Sequence, residues 1–205
     1  MPQRHEATKI NDWIVRLGDR HNRKSEVINV YVSLFERENN MVSKKMVAVV
    51  MGSDSDMGVM QSCIDQLVSF DIEPVVRIIS AHRTPQIASD FAQNAAQKGI
   101  QVIIAAAGMA AHLAGALAGR TALPIIGVPL SSGAGLGGVD ALLSTVQMPP
   151  GVPVASMGIG KAGAKNAALF AVQILALSDE KLREKLAAFK KAQAKKVIEK
   201  DAALQ

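Results

Sequence analysis

The sequence predicts an α/β protein: a three-layer, flavodoxin-like, doubly wound parallel sheet of five strands in the order 2-1-3-4-5, closed by a C-terminal helix. Two observations predict it. From Met46 onward, short β-branched apolar runs alternate with stretches of helical periodicity, and repeated strand–helix units make a parallel sheet covered on both faces. The runs are also almost continuously apolar, as strands buried on both faces are.

The elements follow in order. "MVAVVM" (46–51) is the first strand and "GSDSD" (52–56) its loop; Met60, Ile64 and Leu67 then share one helical face over 57–70. "PVVRII" (74–79) is the second strand, and its Val75, Val76, Ile78 and Ile79 are expected to be buried. "SAHR" follows, then a helix over 85–98 that ends at Gly99. "QVIIAAA" (101–107) is the third strand, followed by "GMAAHLAG". "LPIIGVP" (123–129) is the fourth, followed by a glycine-rich loop. "VPVASM" (152–157) is the fifth, with a helix over 162–177 and a charged one over 179–200. The helices near 110–119 and 162–177 are Ala-rich with few charges, which points to burial between subunits.

Composition narrows the function classes. Apolar residues make up 49% of 205 and aromatics 3%, so the core is Ala, Val, Ile, Leu and Met. The net charge of +5 belongs to the ends: residues 1–45 carry nine Lys/Arg against six Asp/Glu, residues 179–205 eight against five, and residues 46–178 six against seven. A nucleic-acid site wants a basic face with stacking aromatics. Phe70, Phe91 and Phe170 lie beside no basic cluster, so nucleic acid is not an expected partner. Residues 99–119, 121–139 and 141–160 lack Asp, Glu, Lys and Arg, yet Gly, Pro and polar residues interrupt each. They read as buried strands with loops, not membrane spans. A single cysteine, Cys63, excludes an intramolecular disulfide framework and fits a cytoplasmic, reducing compartment. Its apolar helical setting favours a packed thiol over a nucleophile.

Residues 1–45 stand apart as an N-terminal extension ahead of a single domain over 46–200. Met41 and Met46 both precede the first strand, so either a start assigned too far upstream or a poorly ordered extension accounts for the segment.

Ligands of doubly wound sheets sit beyond the carboxyl ends of the strands, where the strand order reverses. Between strands one and three the loops Gly52–Asp56, Ser80–Arg83 and Gly108–His112 converge. In "GSDSD", amides at a helix start and the hydroxyls of Ser53 and Ser55 suit a phosphate. Two carboxylates repel one, so Asp56 is read as a ribose acceptor or a helix cap and Asp54 as merely solvated. Arg83 is a phosphate partner. His82 is a candidate acid–base, because imidazole changes charge near neutral pH, with a ring bonded to a loop carbonyl as an equal alternative. His112, on an Ala-rich segment, is read as structural. "GAGLGG" (133–138) and "GIGKAG" (158–163) match the dinucleotide fingerprint but lack its strand–helix–strand context and acidic partner. No Cys/His cluster has zinc spacing.

Taken together, "VVMGSDSD", "SAHRTP", "AAHLAG" and "GVDALLSTVQMPPGVPVASMGIGKAGAKNAAL" closely resemble the 5-(carboxyamino)imidazole ribonucleotide mutases of purine biosynthesis, the PurE-type enzymes, over about residues 46–200. The resemblance implies a homo-octamer of flavodoxin-like catalytic subunits acting on a small ribonucleotide, with no metal or organic cofactor. It implies phosphate and ribose contacts at Ser53, Ser55, Asp56, Ser80 and Arg83 and a catalytic histidine at His82; Gly108, Met109 and His112, in the third converging loop, are expected to line the same pocket. The implied reaction moves a carboxyl group from the exocyclic nitrogen to carbon 4 of the aminoimidazole ring. Met109 stands where the family usually has glycine and Ala114 where it usually has proline, and the 131–138 loop is altered; these departures bear on the shape of the carbon dioxide pocket. A related branch carboxylates the aminoimidazole ribonucleotide directly, but "STVQMPPG" and "GIGKAGA" resemble the mutase branch more. A dinucleotide-dependent oxidoreductase and a non-catalytic ribonucleotide sensor are the competing classes.

Overall fold

The computed structural model describes residues 46–131, 133 and 136–205. The expectation for residues 1–45, and that for part of the 131–138 loop, lie outside the described residues. The described elements are β1 (Val47–Met51), α1 (Met57–Val68), β2 (Val75–Ile78), α2 (Pro85–Asn94), β3 (Val102–Gly108), α3 (Leu113–Ala118), β4 (Ile125–Leu130), α4 (Val139–Val146), β5 (Ala155–Ser156), α5 (Gly160–Leu175) and α6 (Glu180–Ala202). Short 3-10 turns precede α1 (Asp54–Asp56) and follow α2 (Ala96–Lys98). All strand pairs are parallel, in the order β2-β1-β3-β4-β5, as the alternating pattern predicts.

Strand alternation sorts the core into two layers. Val47, Val49 and Met51 of β1 and Val102, Ile104 and Ala106 of β3 face one side. They pack against Met60, Cys63 and Leu67 of α1 and the small face of α5, from Ala164 to Leu175. Ala48, Val50, Ile103 and Ala105 face the other side, against Ala88, Phe91 and Ala92 of α2 and Leu113, Ala114 and Leu117 of α3. Two-sided burial is why the strand runs lack polar interruptions. Gly99 ends the α2 segment at φ 80, in the left-handed region that glycine occupies without strain.

Three expectations need correction. The second strand is not buried: β2 is the sheet edge, and in the single chain Val76 is 36% and Ile78 51% exposed. Only Ile79, just past its end, is enclosed. Between the fourth and fifth strands the chain forms a helix, α4, and not only a glycine-rich loop. Val139, Leu142, Leu143 and Val146 have helical spacing, but the inward face is Ala141 and Thr145. A Cβ on Gly127 would collide with the Thr145 methyl, so glycine in β4 admits this helix. Third, the Ala-rich helices bury their apolar faces within the subunit. Uncovered large apolar side chains remain on β2, on α4 (Val139, Leu143, Val146), at the end of α6 (Val197, Ile198) and on or just after α5 (Phe170, Leu177), among others.

The start of α6 is tied down and its end is not. Asp179 caps it by accepting from the Leu182 amide (3.1 Å), and Leu182 enters the core. Phe189 packs at 5.6 Å on Phe70, and Lys185 pairs with Asp71. From Lys190 onward every residue is exposed. No helix among the described residues is long and apolar enough to cross a membrane.

Candidate active site

Register aligns the strand ends that build the site. Met51 of β1 lies opposite Ile78 of β2 and Ala106 of β3, and Gly108 lies opposite Leu130 of β4. The loops after β1, β2 and β3 therefore emerge at one level. They enclose a cavity of about 370 Å³ lined by Ser53, Ser55, Asp56, Ser80, His82, Arg83, Gly108, Met109 and His112, among others. All nine candidate residues meet there. A larger groove of about 740 Å³ runs between α1 and α5, but helix side chains alone line it, Gln61, Asp65, Lys161 and Lys165 among them. It holds no histidine and no strand-end loop, so the smaller cavity is the chemical candidate.

The first loop is a reciprocal cap. Asp56 Oδ2 accepts from the Ser53 amide (3.1 Å), and the Ser53 hydroxyl accepts, at a long 3.4 Å, from the Ser55 amide. Burial is the main force pushing the Asp56 carboxyl above its ordinary range. Asp54 is not merely solvated: its Oδ1 accepts from the Ser53 hydroxyl (3.0 Å) and the Ser55 amide (3.1 Å). Those bonds, the Ser53 one first, hold its carboxyl below the usual range. The Ser55 hydroxyl donates to Ser53 Oγ (3.0 Å), which places both hydroxyls side by side.

The second loop is organised by Thr84, which sequence reasoning missed. Its hydroxyl accepts from the Ser80 amide (3.0 Å) and donates to the Ser80 carbonyl (2.9 Å). The available signal was a threonine directly before Pro85 at the start of α2, where a side-chain turn is favoured. Within this turn the Arg83 amide donates to Ser80 Oγ (3.1 Å), and Arg83 Nη2 reaches across to the Gly52 carbonyl (3.1 Å). The guanidinium thus joins the first two loops and keeps further donors for a ligand.

The third loop supplies the decisive contact. His112 precedes α3 without capping it with its side chain. Its Nδ1 lies 2.8 Å from His82 Nε2, with the rings 4.9 Å apart and nearly perpendicular. His112 thus lines the cavity beside His82, and His82 bonds a second ring, where a loop carbonyl was the alternative. Such a contact holds one proton, since two facing N–H groups repel. A proton added at the outer nitrogen of one ring can drive the shared proton to the other.

With this geometry the comparisons with known proteins are specific. Residues 46–196 match the AIR carboxylase family. The chain belongs to this family. An N5-carboxyaminoimidazole ribonucleotide mutase of Mycobacterium leprae (strain TN) is 54% identical over 165 residues, covering 80% of this chain and 95% of the relative. One of Escherichia coli (strain K12) is 50% identical over 153 residues, covering 75% and 90%. The crystal structure of Treponema denticola PurE superposes with a TM-score of 0.70 at 31% identity, covering 78% of this chain and 98% of that one. AIR carboxylase membership accounts for the flavodoxin-like five-stranded sheet and disposes of the dinucleotide reading. In "GIGKAG" a Cβ on Gly163 would run into the Gly158 carbonyl, so that glycine serves close packing at the start of α5. Cys63 is packed in the core face of α1, and burial pushes its thiol up to about 12. No group of three or more His, Cys, Asp or Glu fit for a metal ion occurs among the described residues.

Proposed function

We propose that this chain is an isomerase of de novo purine biosynthesis, an N5-carboxyaminoimidazole ribonucleotide mutase, which moves the substrate's carboxyl group from the exocyclic nitrogen to ring carbon 4 without ATP. The observation that carries the reading is the 2.8 Å contact between His82 and His112 in a cavity that Ser53, Ser55, Ser80 and Arg83 also line. A phosphate suits the hydroxyls and the guanidinium, and Asp56 offers its second carboxylate oxygen to ribose hydroxyls. This fixes the ring beside the histidines. Loss of carbon dioxide from the carbamate needs a proton on nitrogen, and recapture at carbon 4 releases one. Passing that proton is general acid–base work for the imidazole pair. Keeping carbon dioxide beside the ring turns its recapture into an effectively intramolecular step.

A second reading is direct carboxylation of the aminoimidazole ribonucleotide, the activity named by the family itself. The identity of about one half to named mutases favours the first. Purified protein given the carbamate substrate without ATP should form the 4-carboxylate rapidly, and slowly from aminoimidazole ribonucleotide with low bicarbonate. The reverse preference would establish the carboxylase. The same reading places the chain in the cytoplasm as a homo-oligomer, an octamer by resemblance. Uncovered apolar side chains on β2, α4 and α6 support assembly, since soluble monomers rarely expose large contiguous apolar patches. Light scattering that finds a stable monomer would contradict it.

A further inference from the structure

Two described non-glycine residues have positive φ: Asp71 at 60° and Met109 at 53°. Aspartate is tolerated there, and Asp71 is an exposed turn residue paired with Lys185. Methionine has no such excuse. It follows Gly108 at the end of β3 and opens the turn that delivers His112, with the Ala111 amide donating to the Met109 carbonyl at 2.9 Å. Glycine would make this turn without strain. Strain that persists at a site points to a role for the group that causes it, and here that group is the side chain.

What the side chain offers is apolar cover. Seven of the cavity's fourteen lining residues are polar, namely three serines, Asp56, Arg83 and the two histidines, and the apolar ones apart from Met109 and Leu113 are alanine or glycine. Its other large apolar lining residue, Leu113, is buried, whereas Met109 is 55% exposed. Met109 directly follows Gly108, the register partner of Leu130, so it opens the histidine turn at the level where β4 ends. An unbranched thioether in that position can lie over a bound ring and adapt to it.

We propose that Met109 is a specificity-determining residue: its side chain covers the imidazole end of the cavity and sets how much of the carbon dioxide freed from the substrate is recaptured rather than exchanged with solvent. The inference rests on the mutase reading. In the step it governs, the carbamate C–N bond breaks, the electron pair stays on nitrogen, and nitrogen takes a proton. Ring carbon 4 then forms a C–C bond to the carbon dioxide and gives up its own proton, so no oxidant or further reactant is needed. Apolar cover disfavours both water entry and carbon dioxide escape during the interval between bond breaking and bond making.

The test uses substrate labelled with carbon-13 at the carbamate, turned over briefly in excess unlabelled bicarbonate with carbonic anhydrase, and mass analysis of the product. Wild type and Met109→Leu should keep most of the label. Met109→Gly should raise the exchanged fraction, relative to the retained one, by about tenfold, the scale of one apolar contact in a pocket. Its melting temperature should not fall, since glycine accepts this φ. Equal label retention in wild type and Met109→Gly would overturn the cover while leaving the mutase reading intact. Solvent-derived carbon in the wild-type product would overturn the mutase reading and the inference with it.

Discussion

The 2.8 Å contact between His82 Nε2 and His112 Nδ1 makes a quantitative prediction, because groups that pass one proton act as a unit. General acid–base transfer contributes about 10²–10⁴ in rate, or about 2.7–5.4 kcal/mol at 1.36 kcal/mol per tenfold. His82→Asn should lose that much turnover, and His112→Ala a comparable amount. The double variant should lose no more than about tenfold beyond the worse single one, since a broken relay cannot be broken twice. His112→Asn separates two roles. Its amide can still donate to His82 Nε2 and so orient the ring, but it cannot take a proton and pass it on. If the proton travels through the pair, Asn fails as Ala does; if His112 only orients His82, Asn restores turnover. Both rings are exposed, so chemical denaturation should find all four variants within about 0.5 kcal/mol of wild type. Single-turnover kinetics with carbamate substrate, and calorimetry with the 4-carboxylate product, separate chemistry from binding. Strictly additive losses, or recovery in His112→Asn, would refute the relay, and near-full turnover in His82→Asn would remove His82 from the chemistry.

Three further outcomes follow from single contacts. Arg83→Ala removes a charged donor from the anion end of the cavity, worth about 10–100-fold in KM, and Arg83→Lys should recover only part, because one ammonium cannot both hold the Gly52 carbonyl and fork onto a phosphate; an unchanged KM in steady-state assays would exclude the phosphate role. Cys63 has its thiol raised from 9.0 to about 12 by burial, so folding holds that proton more tightly, stability is full below pH 9, and it drains away as pH rises toward 12; urea midpoints should fall across that window in wild type but not in Cys63→Ala, and a disulfide reagent at pH 8 should label only unfolded chain. Gly163→Ala forces a Cβ onto the Gly158 carbonyl, whereas Gly58 in α1 has open space around it, so calorimetric melting should show a loss of about 1–3 kcal/mol for the first and a gain of about 0.5–1 kcal/mol for Gly58→Ala.

The sheet was legible in the sequence because its central strands β1, β3 and β4 are buried on both faces and carry no polar residue to confuse the period. The loops were legible because strand order brings every candidate residue to the carboxyl ends of the strands: the loops of Ser53, Ser80 and Gly108 each begin where a strand ends. Three things were not. The exposure of β2 was missed although the predicted order already put it at the edge, because hydrophobicity does not report it: Val76 and Ile78 are as apolar as any core residue. Helix α4 faces its sheet with Ala141 and Thr145, small residues that carry little periodic signal, although Val139, Leu142, Leu143 and Val146 held a readable one. The histidine pair joins residues 30 positions apart, and no local pattern encodes which nitrogen meets which. His112 looks structural on its own segment and becomes a candidate for the proposed chemistry only beside His82.

The same loops contain an internal competitor for the ligand. Asp54 Oδ1 accepts from the Ser53 hydroxyl and the Ser55 amide, two donors that the proposed phosphate site would use. A substrate must therefore displace a carboxylate before it can use them, and that carboxylate then sits beside the incoming dianion. The arrangement keeps the loop ordered before the ligand arrives, which lowers the ordering cost of binding, while taking back some affinity through competition and repulsion. Asp54→Asn keeps a weaker acceptor and removes the charge. It should lower KM for the phosphate-bearing substrate by about two- to fivefold, the scale of an exposed, solvent-screened charge, with kcat little changed because the histidine pair is untouched. The hydrogen bonds from Ser53 and Ser55 hold the Asp54 carboxyl below its ordinary range, so mild acid will not protonate it and cannot imitate the substitution. Added salt should shrink the difference between wild type and variant. A KM that rises in Asp54→Asn would mean that the carboxylate serves the ligand instead of competing with it, and would move the phosphate away from this loop.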